Sequence, residues 1–185
     1  NILKEQTRFG MGAHFRSPHD HAVMDADWSV TPLTRQIKDK AHSQLGTSGS
    51  GNHFVEYGTL TLDRPDLNCA KGTYLAILSH SGSRGAGSRI ATHYSKLAMT
   101  QHPELPRPLK HLAWLELDSE DGQAYWAAMN LMGEYASANH HVLHRELVRA
   151  LRCNIHAQVE NHHNFAWREE HNGRSVIVHR KGATP

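Results

Sequence analysis

Three histidines stand beside amide or small polar residues, a pairing that suits a metal ion held close to an anionic ligand. His53 follows Asn52 in "GNHF", His80 ends "TYLAILSH", and His163 precedes Asn164 in "HHNF". Imidazole suits Mn, Fe, Zn or Ni, and an asparagine amide can donate to a phosphate oxygen. The spacings match no local metal motif, so each histidine taken alone favours a structural, hydrogen-bonded role. Only the fold can bring the three together.

A glycine-rich segment, "SHSGSRGAGSR", offers a second kind of chemistry. It places Gly82, Gly85 and Gly87 between a strand pattern and a helix start, with Arg84 and Arg89 inside it. Converging backbone N–H groups, the positive end of a helix and an arginine fork all favour a bound phosphate. No Gly-Lys-Ser or Gly-Lys-Thr follows, so the segment is not a P-loop. A glycine-rich turn without a ligand remains the alternative.

The elements that must position these residues can be predicted from periodicity. Residues 52–62 alternate as a half-buried strand does, and 73–80 are apolar enough to predict a strand buried on both faces. Thr34 is predicted to cap a helix, "TRQIKDKAHSQL", and a further helix, "RIATHYSKLAM", follows the glycine-rich segment.

The clearest helix is predicted from Ser119 to about Leu151, capped by Asp118 or Ser119, with apolar residues at spacings of three, four and seven. Its default role is to pack a core. "HNGR" then predicts a tight hairpin turn between two strands. We therefore predict an α+β fold with mixed or antiparallel sheets and flanking helices, in one domain spanning 1–185.

Composition narrows the function classes. The chain has 185 residues, a net charge of +2 and no apolar run near the roughly 18 to 20 residues of a membrane span, so any phosphate site must be local. Cys69 and Cys153 can form at most one bridge, which excludes a disulfide scaffold and favours a cytoplasmic location. Of the 17 histidines, those from His14 to His21 form a further candidate site.

Four blocks in order, "QLGTSGSGNHFVEYG", "LSHSGSRGAGSR", "ENHHNFAWREEHNGR" and "VHRKGAT", resemble the RtcB family of RNA ligases. Together they span about residues 41 to 185, and residues 1 to 40 match less distinctly. The long "SEDGQAYWAAMNLMGEYASANHHVL" helix is also similar to the family's, except that the family usually has Asn-Arg where this chain has Asn139 and His140. The resemblance implies the central portion of an RtcB-like catalytic domain.

The resemblance further implies an enzyme that uses GTP and two Mn(II) ions. It would join RNA ends carrying a 3′-phosphate or 2′,3′-cyclic phosphate to 5′-hydroxyl ends, in tRNA splicing or RNA repair, with a possible activating protein partner. Matched residue by residue, the metal ligands are His53, His80 and His163. The cofactor contacts are Asn52, His53, Phe54, Val55, Glu56, His163 and Asn164. Arg84 and Lys181 fall where the family engages phosphate or RNA ends, and His162 falls in a supporting role.

Two parts of the family's machinery have no match in these residues. An Asp-x-x-Cys pair is expected upstream of "GNHF", and the guanylylated histidine is expected downstream of "RKGAT". "DLNC" spells Asp66 to Cys69, but it follows "GNHF" and is interpreted as a turn between strands. We expect the chain alone to bind manganese weakly and not to form the covalent guanylate. A metal-dependent phosphoesterase and a non-catalytic RNA- or partner-binding module remain alternatives.

Overall fold

The computed structural model describes residues 2–184. The helices are α1 (Ile2–Gln6), α2 (Pro32–Gln44), α3 (Arg84–Gln101) and α4 (Glu120–Leu151), with 3₁₀ turns at Ala22–Met24 and Arg107–Leu112. The strands are β1 (Phe54–Leu62), β2 (Gly72–His80), β3 (Asn164–His171) and β4 (Arg174–Lys181). Helices beside short antiparallel sheets confirm the predicted α+β class.

Each pair of neighbouring strands forms its own antiparallel hairpin. Phe54 opposes His80 in the β1–β2 ladder, and Asn164 opposes Lys181 in the β3–β4 ladder. Asn172 and Gly173 have φ values of 52° and 73°, the left-handed conformations that a tight two-residue hairpin turn requires. The hairpin predicted from "HNGR" is therefore confirmed.

Helix α2 begins earlier than predicted. Its cap is Thr31, whose hydroxyl accepts from the Thr34 backbone N–H at 3.0 Å, and the Thr34 hydroxyl reciprocally accepts from the Thr31 N–H at 3.0 Å. Thr34 is thus the inner member of a capping box, and the prediction that it caps the helix was wrong. Pro32 fits the first turn because its missing N–H has no partner to lose there.

The core forms where α4 crosses α2 and α3. Tyr135 of α4 is fully buried, stacks edge-on against Trp28 and donates its hydroxyl proton to the Ala41 carbonyl at 2.7 Å. The predicted apolar stripe of α4 is buried at Met132, Ala136, Leu143 and Leu147. Helix α4 is therefore the scaffold that the periodicity indicated, and it fixes the elements that carry the candidate site.

The composition of strand β2 predicted burial on both faces, and this prediction was wrong. Leu75 is 67% exposed and Leu78 is 56% exposed, and in β1 only Val55 is buried, against Leu143 and Leu147. Apolar composition shows that a strand can bury its faces, but burial requires a second layer of structure. Within residues 2–184, α4 covers only one end of the β1–β2 hairpin.

Helix α3 starts inside the glycine-rich segment instead of after it. Its first residue is Arg84, so Gly85 and Gly87 lie in the first helical turn. Gly85 N–H donates to Oε1 of Gln44 at 3.2 Å, which ties the start of α3 to the end of α2. The predicted start near Arg89 was wrong, because the glycines are tolerated at the helix N-terminus, where close packing of neighbouring side chains needs them.

None of the helices within residues 2–184 combines the length and apolarity that crossing a membrane would require.

Candidate functional site

A cleft of about 480 Å³ opens where β2 ends, α3 begins and the segment before β3 crosses α4. The predicted residues Asn52, His53, His80, Arg84, His163 and Asn164 all line this cleft, together with His162. Residues far apart in sequence thus meet in one place. The physical reason is the antiparallel register, which returns β2 to the start of β1, and the packing of both hairpins on α4.

His80 presents a lone pair to the cleft. Its Nδ1 lies 3.0 Å from the backbone carbonyl oxygen of Asn52, which can only accept, so Nδ1 carries the proton. In the neutral ring, Nε2 is then unprotonated, and it faces Nε2 of His163 at 3.1 Å. Asn52 therefore contributes through its backbone by fixing the tautomer of His80.

Nε2 of His163 also faces the cleft. The backbone N–H of Gly182 donates to Oδ1 of Asn164 at 2.9 Å, which orients the amide group of that side chain. Its Nδ2 consequently points at Nε2 of His163, 3.4 Å away, and acts as a donor. Two imidazole acceptors thus face one another. This pair can share a positive centre, either a proton or a metal ion.

The donor set at the cleft fits a divalent transition metal, with His80 and His163 as the pair that could hold it. His53 lies alongside, with its ring centroid 5.5 Å from that of His80. In the described part of the chain, no group of three or more His, Cys, Asp and Glu side chains is close enough to hold one ion. The three predicted metal ligands therefore share the cleft, but only two converge on a point.

His53 is held as a neutral ring. Its buried Nδ1 faces Gly49, where any side chain would clash with His53 and Arg84. Burial, and then the positive charge of Arg84, lower the pKa of His53. A neutral imidazole retains a lone pair for a cation at neutral pH.

Arg84 brings a fixed positive charge to the cleft. Its Nε donates to the Thr47 hydroxyl at 2.7 Å and its Nη1 donates to the Ser48 carbonyl at 3.3 Å. Burial lowers the pKa of Arg84, yet a guanidinium stays charged under all ordinary conditions. Within the described residues these bonds occupy one side of the guanidinium and leave Nη2 to meet an anion.

Asn139 connects the backbone segments beneath the cleft, a role that was not predicted from the sequence. It is 0% exposed. Its Oδ1 accepts from Gly46 N–H at 2.8 Å, and its Nδ2 donates to the Thr47 carbonyl at 3.1 Å and to the Ser81 hydroxyl at 3.0 Å. The available signal was an asparagine on the apolar stripe of α4, between Ala136 and Leu143. A buried amide on a core face must serve several backbone groups.

Several predicted residues lie elsewhere or at the edge of the site. Val55 is a core residue, Glu56 lines a different cleft of about 600 Å³, and Lys181 is exposed opposite Asn164. The Phe54 ring lies edge-on, 5.9 Å from the ring of His80. Strand β1 therefore leads from the histidines toward the second cleft.

The remaining candidate residues occupy turns and the border of the site. His162 is partly buried beside the cleft, and burial lowers its pKa. Asp66 and Cys69 bond to each other's backbone in a tight turn at the opposite end of the β1–β2 hairpin from His53 and His80. In the 14–21 segment, Nδ1 of His21 accepts from the next-but-one backbone N–H at 3.1 Å, so the ring caps a 3₁₀ turn. These placements indicate structural roles for His21 and for the turn.

Comparison with known proteins identifies the family. The family model described as tRNA-splicing ligase RtcB matches residues 1–185. The tRNA-splicing ligase RtcB of Methanocaldococcus jannaschii is 34% identical over 210 residues, covering 100% of this chain and 22% of that protein. The RNA-splicing ligase RtcB of Escherichia coli strain K12 is 30% identical over 169 residues, covering 84% of this chain and 39% of that protein. The RNA-splicing ligase RtcB homolog 1 of Entamoeba dispar is 31% identical over 182 residues, covering 88% of this chain and 33% of that protein. The chain spans between about a fifth and two fifths of the length of these relatives. It belongs to the RtcB family.

Proposed function

We propose that this chain forms part of an RNA ligase that uses GTP and Mn(II) to join a 3′-phosphate or 2′,3′-cyclic phosphate end to a 5′-hydroxyl end. The observation that carries the proposal is the convergence of the Nε2 atoms of His80 and His163, 3.1 Å apart, in a cleft that also contains Arg84. The names of the family relatives support RNA as the substrate. The two free cysteines, Cys69 and Cys153, suit a cytoplasmic setting.

In this proposal His80 and His163 hold manganese, and His53 joins them or serves a second ion. Manganese would supply positive charge that offsets the negative charge gathered when phosphate groups meet. Neutral imidazoles suit this role because they leave the charge of the ion uncancelled. Arg84 binds a phosphate oxygen through its open side, and Lys181 contacts the RNA backbone from the edge of the β3–β4 hairpin.

The residues beside the histidines are assigned to the nucleotide. Asn164 already donates toward the cleft, and Asn52 and Phe54 flank His80, so all three can approach a guanylate held near the metal. Glu56 is assigned to the guanine edge, with Val55 setting the path of β1 between them. Because Glu56 lines the neighbouring cleft, guanine would extend away from the histidines along β1.

The test uses the complete reading frame from which the 185 residues come. It is incubated with a 3′-phosphate RNA, a 5′-hydroxyl RNA, Mn(II) and labelled GTP. We expect a joined RNA and label on the protein, both lost in His163→Ala. His141→Ala, on the outer face of α4, is the matched control and keeps both. Phosphate release without GTP and without joining would replace the proposal with a phosphoesterase. RNA binding with neither reaction would leave a non-catalytic module.

A further inference from the structure

His140 of α4 makes two hydrogen bonds to groups that can only accept. Its Nε2 lies 3.0 Å from the Ser81 carbonyl oxygen, and its Nδ1 lies 3.3 Å from a carboxylate oxygen of Glu160. The side chain of His140 is 15% exposed, so its ring nitrogens depend on protein partners more than on water for hydrogen bonds. The ring of His140 therefore links the backbone at Ser81 to the carboxylate of Glu160.

The surroundings of His140 contain other imidazoles but one carboxylate partner. His53, His144 and His162 lie close enough to His140 to interact with it electrostatically. The pKa of each of the three rings is lowered, first by burial. Glu160 acts on two of these rings as well, because its negative charge partly offsets the lowering of the pKa of His144 and of His162. Its hydrogen bond within this group of rings, however, is to His140, at 3.3 Å.

The two groups that His140 connects sit beside the converging histidines. Ser81 directly follows His80, while Glu160 lies in the irregular segment between α4 and β3 that leads to His163. That segment is mostly exposed from 152 to 161 and lacks helix or strand, so its own backbone cannot fix its path. A bond from α4 to each side sets the separation of the two segments.

We propose that His140 is a positioning residue that clamps the Ser81 carbonyl and the Glu160 carboxylate, and thereby holds His80 and His163 facing each other. The inference rests on the proposed function for the value of that arrangement, but the clamp itself is a property of the metal-free protein. A side chain that can donate to both acceptors is required, so arginine is the natural replacement and alanine is not.

The experiment measures Mn(II) affinity at neutral pH by the decrease of the free-ion electron paramagnetic resonance signal. His140→Ala and Glu160→Ala are each expected to weaken binding about tenfold, the scale typical of residues that orient metal ligands. The double variant is expected to bind no more weakly than His140→Ala, because that variant already removes the contact between His140 and Glu160. His140→Arg restores binding. His141→Ala, which removes the exposed neighbouring histidine of α4, is the control. Thermal unfolding and circular dichroism verify that the variants fold.

A metal-free measurement separates the clamp from the proposed function. In the unaltered chain and in His141→Ala, nuclear Overhauser effects should join the His80 and His163 rings, and these should vanish in His140→Ala. Their persistence in His140→Ala, or fully additive decreases of Mn(II) affinity in the double variant, would overturn the clamp. If the complete reading frame binds no Mn(II) while the Overhauser effects in the metal-free protein still depend on His140, the proposed metal site is refuted and the clamp stands.

Discussion

Phe165 of β3 packs directly on Gly133 of α4, with no room for a methyl group between them. A Cβ atom at position 133 would lie 2.8 Å from both Cε2 and Cζ of the Phe165 ring. Glycine inside a helix costs about 1 kcal/mol relative to alanine, so its presence in the middle of α4 has a packing reason. Because β3 continues from His163 and Asn164, this contact sets how closely the segment that carries His163 approaches the helix.

Gly133→Ala is accordingly expected to destabilise the protein despite its better helix propensity. The added methyl group must displace the Phe165 ring, and overpacking of this kind costs about 1–3 kcal/mol in the free energy of unfolding. Urea denaturation measures the change, and Mn(II) affinity should fall with it as His163 moves. Gly58→Ala in β1 is the control, since a Cβ there meets no atom of the described part of the chain within 4 Å. A stabilised Gly133→Ala protein would contradict the close contact.

Asn139→Ala is expected to be among the more damaging single changes. It leaves the buried Gly46 N–H without its acceptor, at a cost of roughly 1–3 kcal/mol. It also removes one of the two side-chain donors to the Thr47 carbonyl, which keeps the Ser81 hydroxyl at 3.3 Å. Thermal and urea unfolding measure the decrease in stability. Asn130→Ala is the matched control, because within residues 2–184 that amide bonds only to the Trp126 carbonyl of its own helix. Equal decreases in stability in the two variants would show that the hydrogen bonds of Asn139 to Gly46, Thr47 and Ser81 add no stability.

Sequence patterns predicted those elements whose cause is local. The hairpin of β3 and β4 follows from Asn172-Gly173, and α4 follows from its apolar stripe and the Ser119 cap, which accepts from Gly122 N–H. Where two local signals competed, the prediction was wrong. Thr34 looks like a cap, but Thr31 precedes a proline and takes that role, and α3 extends back through glycines that would ordinarily end it.

The candidate site depends on interactions that no local pattern contains. The meeting of His80 and His163 requires the β1–β2 register and the docking of β3 on Gly133, and neither follows from spacing. The grouping could be predicted only through resemblance to the family. The tautomer of His80 and the clamp at His140 could not be predicted either. The donors and acceptors that fix both rings are backbone and side-chain atoms from distant segments.

Glu169 on β3 is expected to stay ionised in acid. Its pKa is lowered to about 2, first by hydrogen bonds from Arg180 of β4 and then by one from His171. A carboxylate with a depressed pKa stabilises the fold above its usual pKa, and that contribution is lost as the pH falls toward about 2. Carbon-13 NMR of the carboxyl group at a pH of about 4, close to the ordinary glutamate pKa, should show an ionised Glu169, and Arg180→Ala should raise its protonated fraction. Arg168→Ala, whose guanidinium lies over Trp126, should change nothing.

The metal-free protein is expected to lose stability as the pH falls from about 7.5 to 5.5, the range that brackets the ordinary histidine pKa. Burial lowers the pKa of His19, which packs edge-on against Phe15 and has a buried Nε2 without a hydrogen bond in the described residues. Burial likewise lowers the pKa of four further rings, those of His21, His53, His144 and His162. Below the ordinary histidine pKa of about 6.5, the unfolded chain binds protons that the folded chain resists, so acid favours unfolding.

Urea denaturation at the two ends of that pH range, with a chelator present, tests this expectation on His19. His19→Gln cannot take up that proton in the unfolded state, so its decrease in stability on acidification should be smaller than that of the unaltered protein. His14→Gln removes an exposed ring from the same segment and should leave the pH dependence as it was. If His19→Gln and His14→Gln lose stability in acid to the same extent as the unaltered chain, burial of His19 does not drive the acid sensitivity. The acid sensitivity would then be assigned to the four other buried rings, each testable by the same substitution.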